Sequence, residues 1–308
     1  MKRILVTGGN GLVGSQFNGD EYAYFSSQEC DLRNRGDAEN VIKHNWDAII
    51  HCAAKVGGIM GNMNHKGEFF YDNIMINTNV IEASRKFGVE KLIVFLSTCV
   101  FPDNVEYPLT ESKIHLGPPH TSNDAYAYAK RMADVQVRAY KEQYGLQYTC
   151  VIPTNIYGPH DNFDVENGHV IPSLIHKCYL AKLNKEPFYV WGSGKPLREF
   201  IHSQDVANIT KWILENYEGD EPIILSTSEE ISIKNVVHMI ADAFEFDGPI
   251  IWMDEKPDGQ FRKPSDNSKL KSLMPNYKFI PLDEGIKETV YWFVENYDKA
   301  RGTNLKNI

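Results

Sequence analysis

Residues 4–15 read ILVTGGNGLVGS, and this stretch decides the fold. Three aliphatic residues typical of a buried strand are followed at once by glycines at positions 8, 11 and 14. Between a strand and a helix, glycines with this spacing permit a tight turn and let the backbone approach the pyrophosphate of a dinucleotide. We therefore predict a strand, a dinucleotide-binding turn and a helix over residues 11–17. The turn residues expected at the cofactor are Gly8, Gly11, Leu12, Val13 and Gly14.

The alternation of short apolar runs with longer helical patterns continues through the first half of the chain. It predicts strands at residues 3–6, 22–25, 48–53, 92–96 and 148–152, and helices at 37–44, 73–87 and 125–144. Gly88 and Gly145 follow the last two helices, where a helix C-terminus favours a left-handed residue. This order is typical of right-handed βαβ units. The predicted fold class is α/β, with a doubly wound parallel sheet of the Rossmann type.

Beyond residue 153 the alternation weakens, and we expect loops and small helices that form a smaller C-terminal α/β substrate-binding lobe. Residues 199–202, followed by a helix over 205–217, are predicted to return to the main sheet. Amphipathic helices are expected at residues 233–244 and 283–297. The predicted division assigns residues 1–160 plus about 197–222 to the dinucleotide-binding domain, and about 161–196 plus 223–308 to the substrate-binding lobe.

The composition of the 308 residues excludes several classes of protein. With 42% hydrophobic and 24% charged residues, the balance is that of a soluble globular chain. The formal charge of -9 argues against a nucleic-acid partner, and no apolar run is long enough for a membrane span. The five cysteines are dispersed, without the spacing of a zinc site or a disulfide framework. We therefore expect no metal and a cytoplasmic location.

Cofactor selectivity is set where the second strand ends. The chain reads FSSQ at residues 25–28, with no carboxylate before Glu29. Hydroxyl groups can bind a 2′-phosphate, whereas an acid would repel it, so Ser26 and Ser27 favour NADP(H) over NAD(H).

Four further residues are expected to contact the same cofactor. Asp31 and Leu32 are placed to meet the adenine, although Asp31 could equally cap the following helix. Ala53 and Ala54 end the third strand with small side chains where the cofactor backbone passes.

Tyr126 and Lys130 are four residues apart in a predicted helix, so their side chains share one face. A lysine ammonium lowers the pKa of a nearby phenol, which suits proton transfer at a carbonyl. Strand alternation places Ser97 and Cys99 on one face at the carboxyl edge of the sheet. Ser97, Tyr126 and Lys130 then form a triad that polarises a carbonyl. The alternative is a core serine, a surface tyrosine and a solvated lysine.

Cys99 is a residue that a simple dehydrogenase would not need at this position. A thiol beside the serine that holds a ketone could remove a proton from the neighbouring carbon, because the same donors would hold the resulting enolate. Buried cysteines are more often inert packing, so both interpretations stay open. His169 is either the opposing acid or a helix cap or hydrogen-bonded surface residue.

Together these motifs resemble the GDP-L-fucose synthase family of extended short-chain dehydrogenase/reductases along almost the full chain. The glycine turn and the Tyr/Lys pair are common to the whole superfamily. More specific to this branch are STC at 97–99, GPHDNF at 158–163, HVIP at 169–172 and VWGSG at 190–194. DGQFRKPSDNSKL at 258–270 also contributes to the resemblance.

The resemblance implies an NADP-dependent oxidoreductase with epimerase activity, which converts GDP-4-keto-6-deoxy-D-mannose to GDP-L-fucose. Cys99 and His169 would carry out the 3,5-epimerisation, and Ser97, Tyr126 and Lys130 the reduction at C4. Cofactor contacts implied are Pro153, Asn155, Ile156 and His169, in addition to Tyr126 and Lys130 of the triad. Substrate contacts implied are Asn155, Val170, Trp191, Lys263 and Arg198, the last as the diphosphate-binding arginine or else as a surface residue paired to Glu199 or an aspartate.

The family also forms homodimers, and helices 73–87 and 125–144 are those expected to pair. Two other functions stay open on the same residues. One is a related NAD(P)-dependent sugar-nucleotide 4-epimerase or 4,6-dehydratase, which keeps its oxidised cofactor bound. The other is a non-catalytic dinucleotide-sensing protein, in which the Tyr/Lys pair is normally lost.

Overall fold

The computed structural model describes residues 2–219, 221–256 and 260–303. Asp258 and Gly259, at the start of the segment 258–270, lie outside the described residues. The main sheet has six parallel strands in the order β2-β1-β3-β4-β5-β9. These strands are β1 (Ile4–Thr7), β2 (Tyr22–Phe25), β3 (Ala48–His51), β4 (Lys91–Phe95), β5 (Gln147–Pro153) and β9 (Ile223–Leu225).

Helices cover both faces of this sheet, as the doubly wound prediction requires. Leu5 points to one apolar cluster, shared with α1 (Arg35–Ile42), α3 (Lys66–Lys86) and α4 (Asp124–Tyr144). Its neighbours Ile4 and Val6 point to the opposite cluster, shared with α6 (Ser203–Asn216). Because consecutive strand residues alternate in direction, strands buried on both faces are continuous apolar runs. Gly88 and Gly145 adopt the predicted left-handed conformation, with φ of 71° and 68°.

The predicted helix over residues 11–17 is wrong. Those residues form turns and a three-residue 3₁₀ helix, Gly14–Gln16. Only 14 residues separate the end of β1 from the start of β2, and the glycine turn uses half of them. The chain then turns again at Gly19, with φ of 146°, which leaves no room for a full helix.

The second lobe contains two small sheets, β10-β8-β6 and β11-β7, around an apolar cluster of its own. Its strands are β6 (Asn155–Tyr157), β7 (Phe188–Trp191), β8 (Leu197–His202), β10 (Glu230–Ser232) and β11 (Ile250–Met253). The remaining helices of the described residues are α2 (Ile59–Asn64), α5 (Val170–Asn184), α7 (Ile233–Ala243), α8 (Ser268–Leu273) and α9 (Leu282–Glu295).

The prediction that residues 199–202 return to the main sheet is also wrong. They belong to β8, which pairs with β6 and β10, and the strand that completes the main sheet is β9. The segment that forms α5 was expected to contain only loops and small helices. Most of its residues are buried, so its sequence lacks the polar face that marks an amphipathic helix.

The division of the chain into domains stays a prediction, and we propose one adjustment. Residues 223–225 form β9 of the main sheet, and Leu270 with residues 273–279 packs against the apolar cluster of that sheet. We therefore place both segments with the dinucleotide-binding domain. Among the described residues, no helix combines the length and the apolar character needed to cross a membrane.

Candidate active site

A cleft of about 2020 Å³ lies between the carboxyl ends of the main-sheet strands and the second lobe. Open α/β sheets bind ligands at this edge, because the loops that follow the strands meet there. All the predicted site residues line the cleft, although the role of each stays a prediction. They are Gly8, Gly11, Leu12, Val13, Gly14, Ser26, Ser27, Asp31, Leu32, Ala53, Ala54, Ser97, Cys99, Tyr126, Lys130, Pro153, Asn155, Ile156, His169, Val170, Trp191, Arg198 and Lys263.

The glycine turn has no space for side chains. Gly8 has φ of 71°, and a Cβ there would lie 3.0 Å from the backbone nitrogen of Ala53. A Cβ on Gly14 would clash with the Gly8 carbonyl oxygen and approach the Cα of Gly9 to 2.7 Å. The turn is therefore a bare backbone cradle, which fits the pyrophosphate of a dinucleotide.

A buried network that the sequence analysis missed fixes the neighbouring strand end. The Thr7 hydroxyl accepts a hydrogen bond from the Ala53 amide (3.2 Å) and lies 2.7 Å from Nδ1 of His51. Nε2 of His51 lies 3.1 Å from Oδ1 of Asn77. Burial and, to a smaller extent, the Lys130 charge lower the His51 pKa to about 3, so the ring is neutral. It then accepts from Thr7 and donates to Asn77, which ties β1 and β3 to α3.

The cofactor-selecting turn contains a cation that the prediction missed. Arg33 lines the cleft and forms a close ion pair with Asp31 (2.7 Å) and a longer one with Asp72 (3.4 Å). The alternative role of Asp31 as a helix cap is wrong, because Asn34 caps α1 through the amides of Gly36 and Asp37.

The predicted phosphate-binding serines are partly engaged already. The Ser26 hydroxyl donates to the Glu29 carboxylate at 2.7 Å, and the Ser26 amide donates to the same oxygen. The hydrogen bond is exposed to solvent, so it is open to competition from an incoming phosphate.

Tyr126 and Lys130 lie one turn apart on α4, as predicted. The Lys130 ammonium donates to the Phe95 carbonyl (2.8 Å) and lies 5.9 Å from the centre of the Tyr126 ring. Burial lowers the Lys130 pKa to about 8. The expected lowering of the Tyr126 pKa is wrong, since burial and the nearby Cys99 raise it. Tyr126 is therefore a neutral phenol, the form that can donate a proton.

Ser97 and Cys99 line the cleft for a different reason from the one predicted. Strand β4 ends at Phe95, so the alternation of a strand does not extend to them. Ser97 instead caps a 3₁₀ helix, Thr98–Val100, and accepts a long hydrogen bond from the Cys99 amide (3.5 Å).

The Cys99 thiol is largely covered, with 9% of the residue exposed, yet it reaches the cleft wall. Burial raises its pKa, while a hydrogen bond from Ser97 and the positive charges of Lys263 and Lys130 oppose that rise. The pKa stays raised on balance, so Cys99 is a neutral thiol whose ionised form these neighbours would stabilise.

His169 lies immediately before α5 and lines the same cleft. About half of its side chain is open to solvent in the cleft. Its Nδ1 lies 3.9 Å from the carboxylate of Asp161, which is 2% exposed. Burial alone would lower the His169 pKa, but the attraction of the nearby Asp161 carboxylate outweighs it, and the pKa is raised.

Arg198 and Lys263 both line the cleft and bring positive charge to it. Burial lowers the pKa of Lys263, Cys99 opposes that change, and the Arg198 charge adds to it. Two cations in one cleft attract an anion such as a diphosphate. The ring of Trp191 also lines the cleft, with the Lys177 ammonium 4.2 Å from its centre.

Glu199 links β8, which carries Arg198, to the segments that contain Ser226 and Ser265. Its carboxylate accepts from the Ser226 hydroxyl (2.9 Å) and from both the amide and the hydroxyl of Ser265 (2.9 and 2.5 Å). Burial raises the Glu199 pKa despite these hydrogen bonds. Arg198 and Glu199 are consecutive in β8, so their side chains leave opposite faces of the strand.

Comparison with known proteins identifies the family to which the chain belongs. Residues 4–226 match the NAD dependent epimerase/dehydratase family. The chain is 49% identical to the GDP-L-fucose synthase of Dictyostelium discoideum, over 97% of this chain and 98% of that one. It is 33% identical to the GDP-L-fucose synthase of Escherichia coli K12, over 98% and 99% of the two chains. The chain belongs to the GDP-L-fucose synthase family.

The fold of this GDP-L-fucose synthase family member is that of solved relatives. It is similar to the crystal structure of a GDP-L-fucose synthetase from Naegleria fowleri bound to NADP, with a TM-score of 0.93 and 47% identity over 97% of this chain and 95% of that one. The predicted family and fold class are confirmed, and the relatives support the predicted enzyme class and NADP(H) cofactor.

Asp161 and Arg301 are cleft residues that had no role in the sequence analysis. Asp161 was quoted within GPHDNF, and its proximity to a following histidine in HVIP was a signal that could have been used. Arg301 lines the cleft from the C-terminal segment, and its charge opposes the protonation of His169. No local pattern could have placed it there. Among the described residues, no cluster of His, Cys, Asp and Glu suits a metal ion.

Proposed function

We propose that this member of the GDP-L-fucose synthase family converts GDP-4-keto-6-deoxy-D-mannose to GDP-L-fucose. One observation carries the proposal: a thiol, a phenol, a serine hydroxyl and a histidine line the same cleft as a bare glycine turn. The glycine turn fits a dinucleotide, and the four side chains fit proton transfer around a carbonyl. Relatives with 33–49% identity carry the name of this activity.

In the first stage, Ser97 and Tyr126 bind the C4 ketone of the sugar by hydrogen bonds to its oxygen. The carbons on either side, C3 and C5, are acidified by that ketone. Once Cys99 has lost its thiol proton to solvent, its sulfur removes a proton from one face, and His169 delivers a proton to the opposite face. Proton exchange of both groups with solvent then resets them for the second carbon. Ser97 and Tyr126 stabilise the enolate oxygen that forms between the two transfers.

In the second stage, the same donors serve the reduction. When bound along Gly8–Gly14, NADPH supplies a hydride to C4. Tyr126 donates its proton to the C4 oxygen, and the Lys130 charge stabilises the resulting phenolate. Arg198 and Lys263 hold the diphosphate, with Asn155, Val170 and Trp191 along the remainder of the GDP-sugar.

The residues that line the cleft also favour this function over the two alternatives, a 4-epimerase or 4,6-dehydratase and a non-catalytic sensor. A 4-epimerase or 4,6-dehydratase of this fold has no use for an acid and a base on opposite sides of the sugar. A non-catalytic sensor has no use for the buried ammonium of Lys130 on the Tyr126 side of the cleft. The two cations that line the cleft, Arg198 and Lys263, fit a nucleoside diphosphate better than a neutral ligand.

The test is a reaction of the purified protein with GDP-4-keto-6-deoxymannose and NADPH in deuterated water. We expect deuterium at C3 and C5 of the product and one NADPH oxidised per molecule of GDP-L-fucose, measured by NMR and absorbance. Conversion without net NADPH oxidation, by protein that retains bound oxidised cofactor, would assign it to the 4-epimerases or dehydratases. Absence of any conversion, with NADPH bound, would assign it to the sensors.

We also propose that the chain acts as a homodimer in the cytoplasm. Helices α3 and α4 expose Phe70, Tyr71, Tyr128, Met132 and Val135, which would be covered in a four-helix bundle formed with a second copy. All five cysteines are free thiols, which suits a reducing compartment. Analytical ultracentrifugation of the protein and of Met132→Glu tests the dimer, and a monomeric wild-type protein contradicts it.

A further inference from the structure

Asp161 lies directly beneath His169 in the structure. It follows β6 in the loop that leads to α5, and it is 2% exposed. Its Oδ1 accepts from the Asn162 amide (2.7 Å) and lies 3.9 Å from Nδ1 of His169. Its Oδ2 is buried and has no hydrogen-bond partner among the described residues. A buried carboxylate oxygen without a partner is costly, which points to a partner that reaches it during function.

His169, whose Nδ1 is 3.9 Å from the other oxygen of this carboxylate, can supply that partner. The two residues line the same cleft, and the ring is half open to solvent, so it is free to turn. The present Nδ1 to Oδ1 distance is that of a charge pair, longer than a direct hydrogen bond. Hydrogen bonds of catalytic groups are often long in ligand-free structures and shorten when substrate binds.

The other charged groups around His169 do not compete for its ring. Arg301, from the C-terminal segment, acts against protonation of His169. Asp164, in the same loop as Asp161, already accepts from the amides of Glu166 and Asn167. Lys177, on α5, lies over the ring of Trp191.

We propose that Asp161 is a positioning residue that orients the His169 ring and keeps it protonated, so that His169 can act as the acid of the epimerisation. The proposal rests on the function proposed above. Asp161 accepts the Nδ1 proton, which leaves the Nε2 proton directed toward the substrate. The proton delivered to carbon comes from Nε2, and Asp161 stays ionised throughout.

The direction of the pH effect follows from the charge of Asp161. A carboxylate beside an imidazole favours its charged form, so removal of that charge lowers the His169 pKa. Since the acid must be protonated, epimerisation is lost as pH rises through the His169 pKa. In Asp161→Asn that loss moves to lower pH, by about one unit or more.

The first measurement is an NMR titration of the histidine ring nitrogens in the substrate-free protein, with His169 assigned from the spectrum of His169→Gln. We expect the wild-type His169 pKa to lie above the ordinary value of 6.5 and to fall in Asp161→Asn. Asp164→Asn is the matched control, because it removes the same charge from the same loop. It should leave the His169 pKa unchanged.

The second measurement is deuterium incorporation at C3 and C5 across pH. A merely structural role of Asp161 would lower the rate equally at all pH values, whereas a positioning role shifts the basic limb. Asp161→Glu, which restores the carboxylate, should restore that limb.

An unchanged His169 pKa in Asp161→Asn overturns the proposal. If Asp161→Asn does not fold, a wild-type His169 pKa at or below 6.5 overturns it. The titration needs no substrate, so its outcome is separate from a failure of the proposed activity.

Discussion

The two walls of the cleft are built in different ways. The cofactor wall consists of residues 7–14, 25–33 and 52–55, which directly follow β1, β2 and β3. The substrate wall consists of residues 161–170, 190–199, 260–263 and 301. Its contacts join distant parts of the chain, as when Glu199 binds Ser265 or the Phe163 amide donates to the Arg301 carbonyl. The first wall is encoded by local sequence, and the second by tertiary assembly.

The largest expected effect lies where the two walls meet. Tyr126→Phe removes the proton donor for C4 but leaves the thiol and histidine in place. NADPH oxidation should fall by about 10²–10⁴-fold, while deuterium exchange at C3 and C5 persists at a measurable rate. Tyr291→Phe, at an exposed position on α9 outside the helices of the proposed dimer, is the control and should retain normal turnover. Equal loss of exchange and reduction would show that Tyr126 does not separate the two stages.

An intermediate effect is expected from Gly14→Ala, which places a methyl group against the Gly8 carbonyl and the Cα of Gly9. Such overpacking costs about 1–3 kcal/mol of unfolding free energy. Affinity for NADPH should fall, with affinity for GDP retained, in calorimetric titrations of each ligand. Gly67→Ala is the control, because a Cβ there meets nothing within 4 Å. Wild-type NADPH affinity in Gly14→Ala would mean that the cofactor does not lie on this turn.

A smaller effect, on the other wall, is expected from Glu199→Gln. The amide nitrogen cannot accept the hydrogen bonds that Ser226 and Ser265 donate, at a cost of about 1–3 kcal/mol shared among three contacts. The KM for the GDP-sugar should rise several-fold, because the segment carrying Lys263 loosens, while the Kd for NADPH is unchanged. Glu229→Gln changes an exposed carboxylate nearby and serves as control. A rise in the NADPH Kd would contradict the independence of the two walls.

The sequence predicted the cofactor wall well because its signals are local. β2 spans the predicted residues 22–25, and the other four predicted strands differ from the observed ones by a few residues at their ends. The exception is the helix predicted after the glycine turn. It does not form because too few residues remain between the turn and β2. Helix α5 was missed because burial on several sides removes its polar face.

The residues of the substrate wall were predicted only from the family resemblance, because no local sequence pattern marks them. From its spacing alone, Cys99 could have been either a catalytic thiol or an inert buried side chain. Arg301 and the carboxylate of Asp161 depend on contacts that only a folded chain defines. Arg33 lies on the cofactor wall, yet its pairing with Asp72 crosses from the β2 loop to α3 and is equally non-local.

The central claim is that the Cys99 sulfur takes part in proton transfer beside the cofactor. It is tested most directly by deuterium incorporation at C3 and C5 in Cys99→Ser, with Cys52→Ser as the control thiol that also lines the cleft. We predict an unchanged NADPH Kd and a loss of incorporation of about 100-fold or more in Cys99→Ser, with Cys52→Ser close to wild type. Undiminished incorporation in Cys99→Ser would contradict the account.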